Sequence, residues 1–192
     1  MGKMLFLFVC IGGAVWVFYS LYQREKRWKE LTREIARTLG KVQDASSGID
    51  MVQDALSYEW KTPSGVSVSL GGGSAVVRAG AAATAVTKGV VEAVFPHPLP
   101  YFFSVVRGTS HLTDDEEFNR ICRVQTDNDN AARALLADPG LRLAIKTLLH
   151  SSVRVTTINQ LGVSVQFFDI KEYAEGARKA LELAEHILRR AA

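Results

Sequence analysis

The hydrophobic pattern changes character along the chain. Residues 4–22, MLFLFVCIGGAVWVFYSLY, are nineteen positions without a charge, apolar on every side of a helix, and the basic stretch QREKRWK follows at once. A helix of that length rises about 28 Å, near the thickness of a bilayer's hydrocarbon layer. Trp16, Phe18, Tyr19 and Tyr22 stand where headgroups would begin. The run predicts a transmembrane anchor over residues 1–23. Beyond it, apolar or small residues recur three and four apart at Trp28, Leu31, Ile35, Thr38, Val42, Ala45, Ile49, Val52 and Leu56, with charges such as Lys29, Arg33, Glu34 and Arg37 between them. That spacing predicts an amphipathic helical stalk over residues 24–57. Gly40 and Ser46-Ser47-Gly48 divide it into two helices, the second opened by a capping box of Ser47 and Asp50. The seam has two uses: a surface that dimerises or docks on a partner, or a helix folded back on its own domain.

From Trp60 the period shortens to two. Val66, Val68 and Leu70 alternate with serines, a strand that the triplet Gly71-Gly72-Gly73 is expected to stop. Residues 74–94, rich in Ala, Val and Gly, suit further strands or one small-residue helix, and Pro96, Pro98 and Pro100 then force an extended segment before a strand over 101–106. The last third predicts a short helix capped by residues 113–116, a strand over 121–125, a helix from residues 127–130 to Leu136, and another from Pro139 to Leu149. A hairpin of strands 153–158 and 163–168 follows, and a final helix over 171–190 aligns Tyr173, Ala177, Ala180, Leu181, Ala184, Ile187 and Leu188. The expected class is α+β: a single N-terminal transmembrane helix, an amphipathic stalk, then a soluble domain over 58–192 with antiparallel strands and a C-terminal helix.

Charge sharpens this picture. The net +3 conceals a basic collar, seven Lys and Arg against three acids in residues 24–41, while residues 42–192 hold fifteen against seventeen. A body of that sign gives little counterion-release affinity, so nucleic acid is not an expected partner. Arg24, Lys26, Arg27 and Lys29 outnumber Lys3 across the apolar run, which places the body on the cytoplasmic side of the inner membrane with these four cations at lipid headgroups. Phe18, Tyr19 and Leu21 occupy the region where signal cleavage wants small residues, so the anchor is expected to remain. Cys10, Gly12, Gly13 and Ala14 put small groups on the anchor, where a neighbouring helix can approach closely. Cys10 and Cys122 fall at different depths, against an internal disulfide and in keeping with a reducing compartment.

Catalytic patterns are weak. Asp114-Asp115-Glu116-Glu117 suits the first turn of a helix better than a metal. Asp127-Asn128-Asp129-Asn130 starts like a calcium loop, but Ala131 and Ala132 replace a ligand and the turn glycine. His97, His111, His150 and His186 show no metal spacing, and Ser110 beside His111 and Asp114 is a neighbourhood rather than a triad. Gly71 to Ser74 completes no phosphate-binding fingerprint, Val76 filling the third glycine's place. No catalytic residue, cofactor or metal is expected.

Phe118-Asn119-Arg120-Ile121 with Val124-Gln125-Thr126-Asp127, then Ala131-Ala132-Arg133-Ala134-Leu135-Leu136 and the hairpin, resembles an uncharacterised family of bacterial membrane proteins with a cytoplasmic α+β domain. The resemblance covers residues 118–168 and departs from the family in having one membrane segment rather than two. It implies an anchored cytoplasmic domain and transfers no active site. The expected function is a non-catalytic accessory or scaffolding subunit of a larger bacterial membrane assembly. Its contact residues would be Trp28, Leu31, Ile35, Val42, Ile49, Val52 and Leu56 on the stalk, which also allows self-association, and Tyr101 and Phe102 on the body. The alternative is an anchored enzyme or ligand-sensing domain acting on a lipid or small polar metabolite.

Overall fold

Alternating apolar positions build one antiparallel sheet. The computed structural model describes residues 2–40, 48–50, 55–79, 82–150 and 154–191. Among them are β1 (Gly48–Asp50), β2 (Ala55–Lys61), β3 (Ser67–Ala79), β4 (Ala82–Val94), β5 (Phe103–Arg107), β6 (Cys122–Thr126), β7 (Arg154–Asn159) and β8 (Gly162–Phe167), in the order β1-β2-β3-β4-β8-β7-β5-β6. Cross-strand register lines up Trp60, Val68, Ala93, Val163, Ile158, Val105 and Val124 in a single row across seven strands. Side chains two apart along a strand share a face, so this row and the one through Tyr58, Leu70, Val91 and Val165 form the buried side. The opposite side carries Ser67, Ser69, Glu92, Val94 and Thr157, partly or fully open to solvent.

Helices α1 (Gly2–Gly40), α2 (Glu116–Ile121), α3 (Asp129–Leu136), α4 (Pro139–His150) and α5 (Ile170–Ala191) complete the fold. α1 packs on β2, β3 and β4, and α5 on β4, β8 and α4. The α5 stripe buries Tyr173, Ala177, Ala180, Ala184 and Ile187 as its spacing predicts, together with Gly176 and Leu183. Short polar residues start the inner helices: the Asp115 carboxylate accepts the Phe118 amide, and Asn128 accepts that of Ala131. Thr113, expected to cap α2, instead accepts the Asp115 amide one step earlier.

Two expectations need correction. The glycine triplet does not stop β3, which runs on to Ala79. A Cβ on Gly72 would stand 2.0 Å from Thr32 Oγ1, and one on Gly89 would stand 2.6 Å from the rings of Trp28 and Tyr173. These glycines let helices lie directly on the sheet backbone. The helical stalk does not reach residue 57 either. α1 ends at Gly40, and Ile49 and Leu56 are cross-strand partners in β1 and β2 rather than successive positions on a second helix. Leu56 joins the apolar face of a strand that alternates Leu56, Tyr58 and Trp60, a period of two that outweighs the three-and-four spacing of the preceding residues. Val42, Val52 and the capping residue Ser47 lie outside the described residues.

Beyond Gly72 and Gly89, β3 and β4 continue to pair with each other. Their last seven register pairs run from Gly73 with Lys88 to Ala79 with Ala82. Among the described residues, β2 pairs with β3 as far as Gly72, and β8 with β4 from Gly89.

Candidate membrane-proximal site

α1 is fixed to the body by an aromatic stack. Trp28, 1% exposed, meets the ring of Tyr173 at 5.1 Å, and Tyr173 meets Phe167 at 5.4 Å. Thr32 donates to the Trp28 carbonyl (2.7 Å), and Tyr173 Oη donates to the Gly71 carbonyl (2.7 Å). Burial pushes the Tyr173 hydroxyl well above the usual phenol range, so it stays a neutral donor. Ile35 and Ala36 are also buried, Leu31 packs at the edge, and Arg33 Nε donates to Tyr58 Oη at 3.4 Å. The seam from Trp28 to Ile35 is therefore used within the chain, which removes Trp28 and Ile35 as free partner contacts.

Towards its start the same helix leaves the body. Trp16, Phe18, Tyr19 and Tyr22 are between 62% and 75% exposed, and Val15, Val17 and Leu21 are exposed on the remaining sides. A groove of about 800 Å³ forms where it departs, walled by Trp16, Tyr19, Ser20, Gln23, Arg24, Arg27 and Trp28 of α1 and by Phe168, Asp169 and Ile170 at the start of α5. Positions 16, 20, 23 and 27 form one helical stripe, so the pitch alone turns them toward α5. Of the four cations expected at headgroups, Lys26 pairs with Glu30 (3.8 Å) and Lys29 with Glu25 (2.7 Å). Arg24 and Arg27 make no ion pair among the described residues and line the groove. Asp169 Oδ1 accepts the Lys171 amide at 2.9 Å and starts α5. The sequence holds a signal for this wall in Asp169 three residues before Glu172, but nothing in it announces that Phe168 faces α1.

The remaining expected residues are dispersed. Gly13 has open space where a Cβ would stand, and the environments of Cys10, Gly12 and Ala14 lie outside the described residues. Tyr101 is half-buried with its ring edge-on to Phe103 at 6.3 Å, and its hydroxyl is pushed up by burial. Phe102 is 46% exposed, its amide held by Asp127 at 2.8 Å.

Two polar clusters brace the helical layer. Arg142 and Lys146 of α4 hold Asp115, and Lys146 also reaches Glu117 at 2.5 Å. The Phe118 amide, with the nearby cations, lowers the Asp115 carboxyl. Asp138 accepts the Gly140 amide with one oxygen and lies 2.8 Å from both His186 Nε2 and Arg190 Nη2 with the other. These bonds, His186 foremost, lower Asp138 from 3.8 to about 2. The Thr147 hydroxyl, which lines a pocket together with His186, donates to the Leu143 carbonyl. Ser110 donates to the Cys122 carbonyl at 2.9 Å, a structural bond. Buried Cys122 is raised to about 12, far from a reactive thiolate. Among the described residues no group of three or more His, Cys, Asp or Glu could hold a metal ion.

No family model, curated protein or solved structure matches this chain. Among the described residues no helix is long and apolar enough to cross a membrane. The side chains of residues 1–12 and 14 lie outside the described residues.

Proposed function

We propose that the protein is a non-catalytic, single-pass membrane-anchored accessory or scaffolding subunit of a larger bacterial membrane assembly, with its α+β body on the cytoplasmic face of the inner membrane. The carrying observation is α1: one unbroken helix whose later part is core and whose residues 15–22 offer large apolar side chains to every side. Such a surface is unfavourable in water and favourable in lipid. The cation excess after the apolar run supports the orientation, and the resemblance of residues 118–168 supports a bacterial membrane setting.

With the α1 seam used internally, contact falls to other surfaces. Val94, Phe102 and Leu161 are 45%, 46% and 51% exposed, and the Phe95 amide bonds the Leu161 carbonyl (2.8 Å), which brings the β4 end beside the β7–β8 turn. This apolar patch lies at the end of the sheet opposite Gly89 and Phe167, where α1 crosses. The test is extraction in a mild detergent followed by light scattering. A particle heavier than one 21.1 kDa chain with its detergent is expected. A uniform monomer counts against a subunit role.

A further inference from the structure

We infer that the groove between α1 and the start of α5 is a binding site for the headgroup of an acidic phospholipid, an assignment that rests on the membrane-anchored reading above and names its lipid. Arg24 and Arg27 line it, and neither is neutralised by an ion pair among the described residues, whereas Lys26 and Lys29 are paired to glutamates on the same helix. Against these two cations the lining has one carboxylate, Asp169, with an oxygen engaged by the Lys171 amide. The positive end of the twenty-two-residue α5 opens at Ile170 on the same wall. Charge therefore selects an anion. Position selects a lipid, because Trp16 and Tyr19 form the rim on the side of the apolar run, where a headgroup's acyl chains can continue along the exposed Val17 and Leu21. A phosphodiester with a small neutral alcohol, as in phosphatidylglycerol, meets both demands; a zwitterionic headgroup brings its own cation against the two arginines.

The experiment is thermal unfolding of the full chain in an uncharged detergent, titrated separately with short-chain phosphatidylglycerol, short-chain phosphatidylcholine and inorganic phosphate. Phosphatidylglycerol is expected to raise the midpoint at concentrations where the other two leave it unchanged. Arg24→Gln with Arg27→Gln should weaken its apparent affinity roughly thirtyfold, two cations at about 1 kcal/mol each. Lys26→Gln with Lys29→Gln removes the same net charge and should change it less than about twofold. Equal stabilisation by both lipids, equal losses in the two double variants, or full stabilisation by inorganic phosphate would each overturn the assignment. Alkaline carbonate washing of membranes from cells expressing the wild-type chain separates the two ideas: release refutes the anchor, while retention without a preference for phosphatidylglycerol refutes only the lipid site.

Discussion

Trp16 and Trp28 stand twelve residues apart on one helix, about 18 Å along its axis, yet the first is 70% exposed and the second 1%. Around Trp28 the apolar positions recur at three and four with charges between them, and the matching surface is a sheet stripped to glycine at Gly72 and Gly89. Around Trp16 the described neighbours are apolar on all sides and exposed, and Trp16 itself lines the groove beside Phe168. The contrast teaches that helical periodicity reports the number of distinct surroundings a helix has. Two surroundings give a stripe; one gives none.

The comparison breaks most directly at the two tryptophans. Trp28→Ala should lower the unfolding free energy of the body by about 3–5 kcal/mol, the usual cost of emptying a core aromatic site, while Trp16→Ala should change it by less than about 0.5 kcal/mol in detergent. Guanidinium unfolding followed by circular dichroism measures both. Next in size is the sheet's side of the contact. Gly72→Val should cost about 1–3 kcal/mol, because its Cβ meets the Thr32 hydroxyl and lies 3.4 Å from the Trp28 carbonyl, a backbone atom that cannot rotate away. Thr32→Val, which keeps the volume and deletes the buried hydroxyl, should cost about 1 kcal/mol by the same assay.

A smaller effect sets the α1 contact, which is apolar, against the charged bracing of α4 and α5. Asp138 is lowered on folding, so its contribution to stability is complete above the ordinary carboxylate value of 3.8 and is lost as pH falls from there through about 2. Acid titration of stability should show this loss, and Asp138→Asn should remove it while leaving the Trp28→Ala difference unchanged. The smallest expected change is Lys26→Gln. That residue's pair with Glu30 is more than half exposed on both sides, and its loss should fall within about 0.5 kcal/mol.

Local chemistry was readable wherever one segment decides its own structure. The α5 stripe, the β7–β8 hairpin, the Asn128 cap and the helix opened by Pro139 all appear close to their expected bounds. Misreadings arose where a distant element decides. Gly71 to Gly73 look like a break until α1 lies on them, and Ile49 and Leu56 continue a helical spacing until β2 pairs with β3. The groove is half legible: its α1 wall follows from pitch and charge, whereas Phe168 and Ile170 reach it only through the packing of α5 against β8. Asp138 and His186 are 48 positions apart in sequence, Arg190 lies beyond them, and the cluster has no local signature.

α1 is a single helix with core residues at one end, and the proposed function places its other end in lipid. Membranes from cells expressing the full chain, washed in alkaline carbonate, test it: the protein should stay with the sedimented membranes, and its appearance in the supernatant would contradict the account.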